Sequence, residues 1–281
     1  CGSYDLYFKR PELFLKDKTG QPVVPADWTD VRLLNAGNEA SVNTEVYNMY
    51  RDYVDMVISL GADGIRADVA TCKPAKFWKD LITYSRKKDP QFLWLAEASE
   101  SWKEPISQYA VFTSYDKLLD AGFDGYYGSF FNLKDMKNGK ELINLVQNTR
   151  NILAGYSEPK AVIGSFTTHD EMSPILINGV NFSEMIIWLN ATLPVNSYFV
   201  DGFDTGDNYL YMWGNKEAQK TYTDDDNYFV HRGKLDIFNF SRKPGGNNND
   251  ILNSFVFANG IKRQLNKIIN SGKFIQIGRA S

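Results

Sequence analysis

A parallel β/α architecture is the fold class this sequence predicts, and three observations carry it. Short apolar runs of strand length, GADGIRADVA and QFLWLAEAS among them, alternate with longer segments whose apolar residues recur at helical spacing. QFLWLAEAS is almost wholly apolar, the pattern of a strand buried on both faces, as parallel strands are. Punctuation agrees, because Asn43 can cap one periodic segment while Gly61 and Gly155 can stop two of them. Strands alternating with helices imply parallel pairing through right-handed crossovers, hence a doubly wound sheet or a β/α barrel.

The elements follow in order. Residues 1–40 are polar and turn-rich, and KDKTGQPVVPADW reads as an irregular excursion punctuated by Gly and Pro. Val46, Met49, Tyr50, Tyr53, Val54, Val57 and Ile58 share a helical face. GADGIRADVA is the first strand, and Phe77, Trp78, Leu81 and Ile82 mark a helix ending in SRKKD. QFLWLAEAS, GFDGYYGSF, AVIGSFTTHD and ATLPVNSYFV are the further strands, with SYDKLLDAG, KELINLVQNTRNILAG and SEMIIWLNA as helices between them. A polar stretch with DDDN and GGNNND precedes a last helix, ILNSFVFANGIKRQLNKIINSG, and GKFIQI opens another strand. A dinucleotide-binding sheet would want G-x-G-x-x-G after its first strand, and none stands there. A closed barrel needs eight strands, so the barrel reading of these five expects about three β/α units upstream of Cys1.

Composition narrows the function. A net charge of −3 with a pI near 5.5, and basic residues scattered among acids, offers no basic stripe for nucleic acid and no polybasic membrane patch. No apolar run reaches the ~18 residues of a membrane span, and CGSYDLYFKR lacks the layout of a signal peptide. Two cysteines, Cys1 and Cys72, make neither a disulfide framework nor a cysteine-rich metal cluster. The 16 tyrosines and 18 phenylalanines suit stacking on sugar rings, though core filling accounts for most of them.

The charged residues inside the strands carry the chemistry. Gly64, Arg66 and Asp68 project to one face of a strand, with Asp68 at its C-terminal end, which in a β/α barrel is the mouth of the active site. An arginine one pleat below favours the ionised aspartate, a nucleophile, although a purely structural ion pair would look the same. Glu97 ends the next strand after five apolar residues, where desolvation favours the protonated form of a general acid. Two carboxyl groups whose surroundings pull them apart are what a retaining glycosidase uses. THDE then puts His169 and Asp170 at the end of a later strand, positioned to stabilise an oxocarbenium-like transition state.

In their order and separation GIRAD, WLAEA and FTTHD resemble the short conserved regions of the α-amylase family of glycoside hydrolases. The resemblance implies a (β/α)₈ TIM barrel with Asp68 as nucleophile, Glu97 as acid/base, Asp170 as transition-state stabiliser, and Arg66 and His169 as substrate-binding helpers. DWTDVRLLN resembles the family's motif near the end of the domain inserted after strand three, and LPVNSYFVDG its eighth-strand segment. The barrel is thereby expected to be incomplete, carrying strands four to eight. Residues 1–40 would end the inserted domain, 41–272 would form the C-terminal part of the barrel, and 273–281 would begin a C-terminal β-domain. Departures are specific. Thr71 and Cys72 stand where many α-amylases carry Lys-His on the leaving-group side, and Thr168 stands where Asn often precedes His-Asp. No cofactor is implied, and a Ca²⁺ site would draw on ligands outside this chain.

The implied activity is retaining hydrolysis of α-glucosidic bonds in α-glucans or maltooligosaccharides through a glycosyl-aspartate, with an oligo- or polysaccharide as partner. Transfer by a branching or glucanotransferase type of enzyme is the alternative. Two further readings are a metal-dependent lyase barrel with Asp68, Glu97 and Asp124 ending successive strands, and a non-catalytic carbohydrate-binding relative. Arg66 would compete with a cation beside Asp68, and Asp124 in GFDGYY reads as a turn residue.

Overall fold

The computed structural model describes residues 2–26, 31–200, 202–206 and 249–272. The chain divides into two compact units, Cys1–Gly128 with Tyr156–Ala161, and Ser129–Gly155 with Val162–Ser281.

The first unit opens with β1 (Gly2–Ser3), α1 (Tyr4–Lys9) and a 3-10 turn at Pro11–Leu13, and β2 (Val31–Arg32) pairs antiparallel with β1. Single bridges join Phe14 to Leu34 and Lys16 to Pro22, and Leu13, Phe14, Val23, Leu33 and Leu34 are buried beneath them. The excursion read from residues 1–40 therefore has a small apolar core of its own.

The helix α2 (Thr44–Ser59) starts where Asn43 accepts hydrogen bonds from the N–H groups of Glu45 and Val46. Past its end, Gly61 takes φ 81°, the left-handed conformation that glycine adopts without a Cβ penalty. β3 (Gly64–Ala67), α3 (Ala75–Lys88), β4 (Leu93–Ala96), α4 (Tyr115–Asp120) and β5 (Gly125–Tyr126) follow in strict alternation. β4 pairs parallel with both β3 and β5; Gly64 lies opposite Leu93, and Leu95 opposite Gly125.

The register explains a correction. β4 is buried on one face only: Phe92, Trp94 and Ala96 are inside, whereas Leu93 is 57% exposed and Leu95 half-buried. The buried face is an aromatic cluster in which Trp78 of α3 meets Phe77, Trp94 and Phe123 edge-on at 5.3–6.1 Å. Indole N–H groups are satisfied inside it, Trp78 donating to the Ala70 carbonyl at 2.8 Å and Trp94 to Ser85 Oγ at 2.9 Å. The opposite face, bearing Gly64, Arg66, Leu93 and Leu95, is the one that leads to the candidate site. Gly64 is required there, since a Cβ would lie 2.5 Å from the Leu93 carbonyl oxygen.

In the second unit α5 (Gly139–Leu153) is capped by Asn138 and ends just before Gly155. β6 (Ala161–Gly164) crosses the boundary between the units after Ala161, and from Val162 onward it belongs to the second. α6 (Pro174–Thr192) is broken at Asn178 and Gly179, so SEMIIWLNA forms its regular second half. β7 (Asn196–Ser197) pairs parallel with β6, Ile163 opposite Asn196. α7 (Asn249–Ser271) packs on α6, with Trp188 edge-on to Phe257 at 5.9 Å and Ser254 Oγ donating to Glu184 at 2.6 Å.

All five expected parallel strands exist, but GFDGYYGSF and ATLPVNSYFV contribute only two residues each. AVIGSFTTHD is strand only to Gly164, where the Ser165 N–H turns back to the Ile163 carbonyl at 2.8 Å and ends the ladder. His169 and Asp170 therefore sit on a loop beyond the strand, not at its end. Asp27 to Asp30 of DWTDVRLLN, Asp201, the DDDN stretch, residues 245–248 of GGNNND and residues 273–281 lie outside the described residues. Among the described residues no helix is long and apolar enough to cross a membrane.

Candidate active site

Arg66 is the centre of the first unit's strand-end cluster. It ends one pleat below Asp68, and the backbone ladder continues past β4, with the Glu97 N–H donating to the Ala67 carbonyl at 3.0 Å and the Tyr127 N–H to the Ala96 carbonyl at 3.1 Å. Consecutive strands so deliver Arg66, Glu97 and Tyr127 to one place. Arg66 Nη1 donates to Asp68 Oδ1 in a very short contact. Its Nη2 lies 2.9 Å from Glu97 Oε1, an ion pair whose angles fall short of a hydrogen bond and leave that buried N–H group without one. Its Nε donates to the Tyr127 hydroxyl at 3.2 Å, and the guanidinium carbon is 5.2 Å from the Tyr127 ring centre.

Burial works against the guanidinium's charge, but Glu97, Tyr127 and Asp68 outweigh it and hold the Arg66 pKa above its ordinary value. Arg66 is thus a fixed cation, and the two carboxylates differ in what else surrounds them. The Asp68 side chain is 66% exposed, open to an incoming molecule, whereas that of Glu97 is 10% exposed. Glu97 Oε2 accepts the Val69 N–H at 2.7 Å. Both oxygens of the enclosed Glu97 thus face positive groups, a guanidinium on Oε1 and a backbone N–H on Oε2.

Two features of the cluster were not evident from motif spacing. Val69 has φ 41° and ψ 52°, a left-handed conformation that is rare and strained for a β-branched residue, and this conformation aims its N–H at Glu97. Tyr127 stands in GYYGS, where nothing in the local pattern separates it from a core aromatic. Thr71 and Cys72 lie in the 3-10 turn Ala70–Cys72 after Asp68. Thr71 is buried and its carbonyl accepts the Thr113 N–H at 2.9 Å, while Cys72 lines a small open pocket with Asn35, Gly37 and Tyr109. Neither presents the charged reach of a Lys-His pair.

In the second unit His169 Nε2 lies 3.4 Å from Asp170 Oδ2, and both side chains are exposed. A buried run, Ser165–Thr168, leads to them, and Thr168 Oγ1 accepts the Asp170 N–H at 3.2 Å. The neighbouring Glu171 pairs with Lys134.

Asp124 is not a site residue. It precedes β5 rather than ending it, both of its oxygens accept from Arg86 Nη2 at 2.8 Å, and Oδ2 also accepts the Trp94 N–H at 2.7 Å. That is a structural carboxylate, as its turn setting predicts, and the trio Asp68, Glu97, Asp124 of the lyase reading is not assembled. Among the described residues no group of three or more His, Cys, Asp or Glu side chains is placed to hold a metal ion.

Parallel β/α units with polar side chains gathered at the C-terminal ends of adjacent strands define the class: a β/α-barrel protein. Solved structures share this fold. An α-amylase from Lactobacillus plantarum superposes with a TM-score of 0.64 at 21% identity, over 92% of this chain and 57% of that one. The acarbose-bound α-amylase of Geobacillus thermoleovorans gives 0.61 at 14% identity over 93% and 54%, and the debranching enzyme of Nostoc punctiforme 0.54 at 16% over 90% and 51%. The chain thus spans little more than half the length of these structures. A stretch of 75 residues, 26% of this chain and 10% of the relative, is 36% identical to an α-1,4-glucan:maltose-1-phosphate maltosyltransferase of Corynebacterium glutamicum. No family model matches the chain.

Proposed function

We propose that this chain contributes the carboxylate-bearing part of a catalytic barrel that cleaves α-glucosidic bonds with retention, as a member of the α-amylase family. The observation that carries the reading is Arg66 bridging Asp68 and Glu97 at the ends of adjacent strands. Glu97 donates its proton to the glycosidic oxygen while an Asp68 oxygen attacks the anomeric carbon, so the C–O bond to the leaving sugar breaks as the glycosyl ester forms. The leaving sugar departs with the Glu97 proton. Glu97, now a carboxylate, takes a proton from an incoming hydroxyl whose oxygen displaces Asp68, restoring both groups. Exposure of Asp68 suits attack on a bound sugar, and enclosure of Glu97 suits proton transfer away from bulk water. The order of the motifs assigns Asp170 to stabilising the oxocarbenium-like transition state and His169 to a sugar hydroxyl.

The incoming hydroxyl can be water or another sugar. The stretch similar to a maltosyltransferase favours transfer as the second reading, and product analysis with and without an acceptor maltooligosaccharide separates the two. The mechanism itself is tested by Glu97→Gln with an α-glucosyl fluoride, whose leaving group needs little acid help. Slowed deglycosylation should accumulate a glycosyl ester on Asp68, visible as a one-hexose mass increase on the peptide containing Asp68. Unimpaired turnover of a maltooligosaccharide by Asp68→Asn would defeat the proposal.

A further inference from the structure

Arg66 makes an unusual division of its donors. A guanidinium beside carboxylates favours a two-pronged pairing in which two N–H groups meet the two oxygens of one carboxylate. Arg66 instead gives Nη1 to Asp68, turns Nη2 toward Glu97 without a full hydrogen bond, and gives Nε to a phenol. Nε and Nη2 lie on the same edge of the guanidinium. A carboxylate free to choose would take that whole edge, and Glu97 is the carboxylate facing it. The Tyr127 oxygen occupies half of the edge, with its ring 5.2 Å from the guanidinium carbon.

Tyr127 can hold this place because it is itself held. It is 6% exposed, and its backbone N–H is tied to β4 through the Ala96 carbonyl immediately before Glu97. The phenol and the acid it competes with are thus mounted one strand apart. We propose that Tyr127 is a positioning residue: it denies Glu97 a two-pronged pairing with Arg66 and so keeps Glu97 able to accept and release a proton while Arg66 also serves Asp68.

This rests on the retaining mechanism proposed above, and Tyr127 itself touches no reacting atom. Tyr127→Phe keeps the ring and removes the oxygen. Nε then turns to Glu97, whose ionised form gains a charge-assisted hydrogen bond, while the Val69 N–H stays on Glu97 Oε2. Stabilising the ionised acid lowers the pH at which it loses its proton. The alkaline limb of the pH–rate profile should therefore move down by about half a unit or more, and kcat near neutrality should fall roughly tenfold, the order expected when proton transfer is impaired but not lost. KM should be nearly unchanged. A thermal midpoint within a few degrees of wild type identifies a folded variant, and if it is lower, Tyr127→His, which retains a polar ring atom, should recover part of the limb position. Steady-state kinetics of the intact protein on a maltooligosaccharide from about pH 5 to 9 reads all of this. Wild-type kcat and an unmoved limb in folded Tyr127→Phe, with Glu97→Gln inactive, would overturn the role of Tyr127 and leave the mechanism standing. Unimpaired Asp68→Asn would instead remove the mechanism on which the role depends.

Discussion

The two acidic motifs of this chain are held in opposite ways. In the first unit, Asp68 and Glu97 follow directly on paired strands, and Arg66, which faces Glu97, and Glu97 itself are on backbone hydrogen-bonded across those strands. In the second unit, His169 and Asp170 stand on a loop past the end of β6, exposed, and held locally by a turn through Thr168. Strand register transmits position from one residue to the next at a fixed pitch, whereas a loop transmits it through whatever its own turns permit. A motif on a strand can therefore be read as geometry. A motif on a loop can be read only as composition.

Substitution of the strand-mounted acid should have the largest consequence. Glu97→Gln is expected to lower kcat on a natural α-glucan by about 10²–10⁴-fold, the range of general acid/base catalysis, while Thr168→Val, which loosens the turn under Asp170, should cost far less. Equal losses in steady-state assays would erase the distinction between the two regions. Stability offers the next test. Gly64→Ala would push a Cβ to 2.5 Å from the Leu93 carbonyl, and overpacking against backbone costs about 1–3 kcal/mol, read as a lower denaturant midpoint together with disturbed activity.

Lys262 tests the second unit away from the loop. Its ammonium donates to the carbonyls of Asn190 and Val195 at 2.5 and 2.7 Å and to Ser197 Oγ at 2.9 Å, tying α7 to the end of α6 and to β7. Burial pulls its pKa down to about 8 from 10.5. Between those values the unfolded chain holds the proton and the folded chain does not, so stability should rise with pH from about 8 to 10.5 and be flat below. Lys262→Met should abolish that slope in denaturation curves. The smallest effect concerns Cys72, whose thiol pKa is raised chiefly by burial. Thiol reagents at pH 7–8 should label it slowly in the folded protein and rapidly once it is denatured.

Legibility followed the same divide. The alternation of strands and helices, the Asn43 cap, the Gly61 stop and the placement of Asp68 and Glu97 at strand ends all follow from local periodicity and turn chemistry. Reading β4 as buried on both faces failed because Leu93 is as apolar as Trp94, and only pairing with Gly64 tells which of them faces out. The stop of β6 at Gly164 was hidden because Phe166 and Thr167 continue the apolar, β-branched pattern beyond the hydrogen-bond ladder.

By itself the sequence determined the parallel β/α class and the common face of Arg66 and Asp68, because both depend on periods of a few residues along one strand or helix. Tertiary structure alone decided how Arg66 divides its donors among Asp68, Glu97 and Tyr127. That division joins residues 61 positions apart, and it depends on which strands neighbour one another and in what register. No local pattern records this.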